Sequence, residues 1–340
     1  MALMFNVQCS MFNVQWITEK DEHPRKGLLP VEWVMMIYLL ATTVFMLFFY
    51  NSLLHPERII ELRIKALVIT LSLWALYRWK PCRLTILLRI AGQMLLLGWW
   101  YPDTYELNRV FLNLDHVFAG WEQALFGCQP ALVFNQVCSW PWFSEIVIMG
   151  YVSYYPLFVG VSAFYFFWRY EHFERATFII LTSFFLSYVI FILLPVAGPQ
   201  FYFKVVGVDQ VMAGIFPNIH DYFGKLEFDV LDPQFSLPIP GYTDGFFYHI
   251  LEFTHDAGER PTAAFPSSHV SVTVVVMWLA WESRNRWLFY GFLPLAILLF
   301  FGTFYIQAHY AIDAIAGVLA GTLFYFLLRH LYSRLSFTLL

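Results

Sequence analysis

The chain has 340 residues, of which 59% are hydrophobic, 21% aromatic and only 13% charged, against about 25% charged in an average soluble domain. This composition excludes a soluble globular protein and predicts an all-helical, polytopic membrane bundle. A net charge of -4 excludes a nucleic-acid partner, because neutralising phosphates takes clustered Lys and Arg.

The first thirty residues carry Lys20, Asp21, Glu22, Arg25 and Lys26 ahead of a full-length apolar run. No secretory signal peptide is therefore expected, and segment 1–30 is expected to be cytoplasmic. Runs long enough for about 30 Å of hydrocarbon follow at 31–50, 84–101, 146–168, 176–194, 268–281, 288–306 and 309–328, with a short eighth at 64–79. Eight spans put both termini on one side. Arg78, Lys80 and Arg83, Arg169 and Arg175, Arg284 and Arg286, and Arg329 and Arg334 then share a face with Lys20, Arg25 and Lys26. The excess of positive charge marks that face as cytoplasmic. Arg58, Arg63 and Lys65, in the first outer loop, run against this orientation.

The predicted organisation is an accessory part at 31–145, a catalytic core of the last five helices at 146–330, and a cytoplasmic tail at 331–340. Two long outer segments, 102–145 and 195–266, are acidic, aromatic and punctuated by Pro and Gly, which predicts packed caps over the membrane mouth. Cys128 and Cys138 lie in the first, where a disulfide could persist, whereas Cys9 and Cys82 are expected to be free. His249, Glu252, His255 and Asp256 fall within eight residues, but their spacing fits no well-characterised zinc pattern, and no metal or other cofactor is expected.

The chemistry concentrates in Phe265-Pro266-Ser267-Ser268-His269 and His309-Tyr310-Ala311-Ile312-Asp313, each at the edge of an apolar run. Ser267 and Ser268 occupy the amino-terminal cap and first turn of a helix. Their hydroxyls, the unpaired backbone N–H groups and the positive end of the helix dipole converge where a phosphate would sit. His309 and Asp313 are one helical turn apart, so the carboxylate is expected to orient one imidazole nitrogen and leave the other free as a nucleophile. A capped helix beside a water-facing histidine would explain the first motif alone, and a buried His–Asp pair the second. The predicted topology brings His269 and His309 to the same outer face, as acid and nucleophile.

Pro266-Ser267-Ser268-His269 and His309-x-x-x-Asp313 resemble the second and third signature motifs of the type 2 phosphatidic acid phosphatase and haloperoxidase superfamily, over roughly residues 145 to 330. The resemblance implies His309 as nucleophile, Asp313 as its orienter, His269 as general acid, metal-independent chemistry and a lipid phosphate or diphosphate as substrate. Two family features are absent. The position of the third motif's arginine holds Thr303, and the first motif's Lys-x6-Arg-Pro is replaced by Leu194-Pro195-Val196-Ala197-Gly198-Pro199. A phosphate in a partly dry site needs positive charge; Arg260 is the first candidate to supply it, followed by Lys204 and by Lys225 in the same outer loop. A Gly-Pro segment in place of the first motif is similar to the inositol phosphorylceramide synthase branch, which transfers a head group to a lipid hydroxyl.

The expected protein is thus a lipid phosphatase or phosphotransferase working on a membrane lipid in the bilayer, at the outer face of a bacterial inner membrane. A non-catalytic transporter or degenerate relative is the alternative. The sequence specifies no oligomeric state.

Overall fold

The computed structural model describes residues 14–22, 24–226 and 235–338, without the side chains of 14, 255–258 and 335–338. Cys9 and the rest of the first thirteen residues lie outside them, as do the side chains of His255 and Asp256. All regular elements among the described residues are helical, as hydrocarbon requires of a backbone that must satisfy its own hydrogen bonds.

Thirteen helices matter here. They are α1 (Pro30–Phe48), α2 (Pro56–Trp79), α3 (Arg83–Asn108), α4 (Asp115–Phe126), α5 (Pro130–Val137), α6 (Pro141–Val152), α7 (Tyr154–Trp168), α8 (Phe173–Leu193), α9 (Pro199–Val206), α10 (Phe246–Gly258), α11 (Ser268–Glu282), α12 (Arg286–Tyr305) and α13 (Ala311–Thr338). Proline opens α1, α2, α5, α6 and α9, at the position where its missing N–H has no intrahelical partner to lose.

Each of the eight predicted spans is helical, but five helices among the described residues are both long and apolar enough to cross a membrane: α1, α3, α8 with the turn before it, α12 and α13. The predicted span 146–168 is two helices, α6 and α7, bent by 45°, and counts as a sixth if they cross together. Pro156 accounts for the break, because it cannot donate to the Val152 carbonyl and its ring crowds that group. At 15 residues, α11 is about 22 Å long, short of the hydrocarbon thickness. The predicted short span 64–79 is the later part of a 24-residue helix that also contains Arg58, Arg63 and Lys65. These cations are therefore not in a loop, and Arg63 is buried against α3, paired with Asp103 at 3.1 Å.

The main core joins α1, α3, α7, α8, α11 and α13. Within it α11 and α13 approach closely at Gly317 and Gly321. A Cβ at Gly317 would lie 2.8 Å from the Ser267 carbonyl oxygen, so the spacing of two glycines one turn apart lets the helix bearing His269 lie backbone to backbone against the helix bearing Asp313.

The two long segments 102–145 and 195–266 contribute α4, α5, α9 and α10, which bury apolar clusters of their own. One gathers Phe118, Leu132, Tyr202, Phe203 and Tyr310; the other joins Ile148, Tyr248 and Leu251 to Tyr305 and Ile306. Both reach the α12–α13 connection that carries His309. Cys82, Cys128 and Cys138 are free thiols. No bridge joins Cys128 and Cys138, the pairing their location would allow, because the eight residues of α5 put about 12 Å of helix between them, beyond the reach of a disulfide.

Candidate active site

His269 is the second residue of α11 and His309 lies in the five-residue connection between α12 and α13. Forty positions apart, they meet with His309 Nε2 3.5 Å from His269 Nδ1. His269 is packed between Tyr151 and Tyr154, ring centroids 4.7 and 4.4 Å away. His309 is 4% exposed, and burial lowers its pKa to about 4, against the Ala264 carbonyl bond and the Glu259 charge, which raise it. The ring is therefore neutral at physiological pH.

The tautomer follows from the partner. His309 Nδ1 lies 2.8 Å from the carbonyl oxygen of Ala264, and a carbonyl can only accept. Nδ1 carries the hydrogen, and Nε2 presents its lone pair to the space shared with His269. Asp313 sits farther off, its Oδ2 3.8 Å from Nδ1. That oxygen accepts instead from the Tyr310 backbone N–H at 2.8 Å, while the Asp313 carbonyl accepts from Ser267 N–H at 3.1 Å. Asp313 thus fixes the His309 connection and the start of α11 relative to each other, while a backbone carbonyl orients the imidazole directly.

Ala264 is placed by a relay that begins in α4. The Asp115 carboxylate, fully buried, accepts from the backbone N–H groups of Ala197 and Gly198 at 2.7 and 2.8 Å, from the Asn113 amide at 2.6 Å and from the Tyr310 hydroxyl at 2.9 Å. Val196, on the same turn, accepts from Ala264 N–H at 3.0 Å, and the Ala264 carbonyl in turn accepts from His309. Gly198 has φ +96° and lies so close beneath this loop that a Cβ there would be 2.6 Å from the Ala308 carbonyl oxygen. No other residue fits that position without moving the His309 connection. The Pro195–Pro199 segment, which stands where the family resemblance leads one to expect a cation-bearing motif, is the support on which the His309 connection rests.

Glu122, on the same face of α4 as Asp115 and two turns along, is also buried; its Oε2 accepts from Ile312 N–H at 3.2 Å, at the amino terminus of α13. Burial and the nearby Asp313 charge raise its pKa to about 8, against backbone hydrogen bonds from Ile312 and Ala311. Burial likewise raises Asp115 to about 6, opposed by the four hydrogen bonds it accepts. Sequence reasoning misses both carboxylates, although a signal for them exists: two acidic residues seven apart in a largely apolar helix share one face.

Ser267 caps α11, its hydroxyl accepting from Val270 N–H at 3.4 Å, and Ser268 lies beside it, 7% exposed. Thr303, at the position of the family arginine, is fully buried with its hydroxyl donated to the Phe300 carbonyl at 2.7 Å. Arg260 is half-buried and donates to the carbonyl of Glu259 at 2.9 Å. Glu259 accepts from Gln200, whose backbone N–H donates to Gln307 in the His309 connection. Lys204 is exposed at the end of α9, and Lys225 is exposed and paired with Asp221 at 2.8 Å. Among the described residues, neither Arg260 nor Lys204 has a hydrogen bond or ion pair with the two histidines. His249 pairs with Glu252 at 3.6 Å on the exposed face of α10.

The family described as the PAP2 superfamily matches residues 116–327, beginning in α4 and ending in α13. No curated protein matches the chain, and no solved structure does. The matched segment is more than half of the chain and contains both histidines, Asp313 and Glu122; the chain belongs to the PAP2 superfamily, and its function is of the phosphatase or phosphotransferase type.

Proposed function

We propose that the chain cleaves a phosphate, diphosphate or phosphodiester on a membrane lipid, with His309 as nucleophile and His269 as general acid and base. The observation that carries this reading is the tautomer of His309: the Nδ1 bond to Ala264 leaves the Nε2 lone pair facing Nδ1 of His269 at 3.5 Å. In the substrate-free chain the two rings fill that gap themselves, so an entering phosphoryl group parts them. Nε2 then attacks phosphorus, the bond to the leaving oxygen breaks, and His269, which takes up a proton from water as the phosphate anion enters, gives that oxygen the proton. In the second half, an acceptor hydroxyl loses its proton to His269 and attacks phosphorus, releasing Nε2. Water as acceptor makes the protein a phosphatase. A lipid hydroxyl makes it a head-group transferase of the inositol phosphorylceramide synthase kind.

Ser267, Ser268 and the amino terminus of α11 lie next to His269 and are the proposed phosphate contacts, with Arg260 brought in from the adjoining loop and Lys204 at the mouth. The positive charge at the other end of the bundle supports an outward-facing site in a bacterial inner membrane. The test is release of phosphate, or exchange of head groups, on a panel of lipid phosphates and phosphoinositol donors, with and without a ceramide or diacylglycerol acceptor. His309→Ala is expected to reduce turnover by roughly 10³-fold or more. Equal turnover by wild type and variant, or none by either on any substrate, removes the enzymatic reading in favour of a non-catalytic relative. Product that appears only when acceptor is present identifies a transferase.

A further inference from the structure

At the end of α11 away from His269, about 20 Å along the helix, a cavity of about 1110 Å³ opens between α7, α8, α11, α12 and α13. Five arginines line it, Arg169, Arg175, Arg284, Arg286 and Arg329, against a single carboxylate, Glu282. Arg175 and Arg329 hold Glu282 at 3.1 and 3.3 Å, and the Tyr325 hydroxyl donates to it at 3.0 Å; together these four groups form an ion-paired floor that keeps an excess of positive charge. Arg169, Arg284 and Arg286 have no ion pair among the described residues. Arg284 and Arg286 flank the amino terminus of α12 and Arg169 lines the same cavity; Asn285 caps the helix by accepting from Leu288 N–H, and a helix start has further first-turn N–H groups without an intrahelical partner. Arg284 also holds φ +57°, a backbone conformation usually left to Gly or Asn.

An apolar groove of about 640 Å³ runs on from this cavity. The two share Trp278, Trp281 and Phe289. From Trp281 the groove follows α11 up to Val270, about 16 Å of helix rise, close to one leaflet's share of the hydrocarbon.

We propose that this cavity and groove bind one anionic phospholipid of the adjoining leaflet, its phosphate on Arg169, Arg284, Arg286 and the α12 amino terminus, and one acyl chain along α11. Charge complementarity selects the head group, and the continuity of a basic cavity with an apolar groove selects a lipid over a soluble anion. This site is separate from the histidine pair and takes no part in its chemistry.

The test is native mass spectrometry of the full chain in detergent, titrated with dioleoyl phosphatidylglycerol, with dioleoyl phosphatidylcholine, or with glycerol 3-phosphate. Retention of phosphatidylglycerol at concentrations where phosphatidylcholine is lost is expected. The triple variant Arg169→Ala, Arg284→Gly, Arg286→Ala is expected to weaken that binding roughly tenfold or more, and His309→Ala to leave it unchanged. Glycine in place of Arg284 keeps the positive φ accessible, and Tm of the variant in lipid-free detergent reports whether the fold survives; if it does not, each single variant is titrated in its place. Equal retention of the two phospholipids, retention by the folded variants, or displacement by glycerol 3-phosphate at the lipid's own concentration overturns the proposal. So does loss of the lipid in His269→Ala with retention in the arginine variants, because the chain would then be entering the groove from the histidine end.

Discussion

The accessory helices and the histidine site bury charge in opposite ways. Among α1–α3, the accessory helices, each buried carboxylate meets an arginine: Arg63 with Asp103 at 3.1 Å, and Arg89 Nε with Glu32 at 2.8 Å, the latter pair fully buried. At the histidine site Asp115, Glu122 and Asp313 are also buried, and the hydrogen bonds they accept come from backbone N–H groups, a phenol and an amide. A paired charge is satisfied by its partner wherever the helices bring the two together. A carboxylate that depends on backbone donors is satisfied only if several loops keep one geometry, so it fixes those loops. The first arrangement joins helices; the second places the His309 imidazole.

The sharpest way to break this comparison is to remove Asp115. Asp115→Ala leaves two backbone N–H groups, the Tyr310 hydroxyl and the Asn113 amide without their acceptor, a loss of about 3–5 kcal/mol in stability. If the Pro195–Pro199 turn positions Ala264, and through it His309, turnover falls by about 10²-fold as well. Thermal unfolding and kcat on the same preparation check both. A variant that unfolds earlier yet turns over normally shows that the relay from Asp115 to His309 carries no catalytic weight.

The accessory pair is expected to behave differently. Arg63→Met strands Asp103 in the bundle and costs about 3–5 kcal/mol, whereas Arg63→Met with Asp103→Leu is close to neutral, and kcat in the folded fraction is unchanged by either. Denaturation of the four species of this cycle measures the coupling. A double variant as unstable as the single one would mean that Arg63 acts through its hydrogen bonds to Thr42 and Thr43, both at 3.0 Å, rather than through Asp103.

The same contrast explains what is legible in the sequence. His269 and His309 are ionisable groups at the edges of apolar runs, and the counting of spans that pairs those edges is a one-dimensional operation. Arg63 reads as a loop charge because apolar runs show where a helix is greasy, not where it begins; Pro56 is the start signal that such a reading passes over. The relay through Ala197, Gly198, Val196 and Ala264 leaves no trace in side-chain chemistry, since its working parts are peptide groups. The Pro195–Pro199 segment therefore reads as a motif lost, and its use, bringing backbone up against the His309 connection, appears only in three dimensions. Asp313 shows the same limit: helical spacing places it beside His309, but not the choice of its oxygen for a backbone N–H over the imidazole.

Glu122 gives the smallest and most selective test. Its pKa is raised from 4.5 to about 8 in the folded chain, by burial first and the Asp313 charge in support, so the folded state holds this proton more tightly than the unfolded state does. The stability it contributes is complete below about pH 4.5 and is lost as pH rises through 8. A glutamine side chain keeps an oxygen for Ile312 N–H and has no proton to lose. Glu122→Gln should therefore match wild type in Tm near pH 5 and exceed it increasingly towards pH 8.5, by about 2–4 °C if the effect is near 1 kcal/mol. An offset that stays constant with pH would mean that Glu122 is neutralised by a cation, as the carboxylates of the accessory helices are, and the distinction between the two regions would fail at this residue.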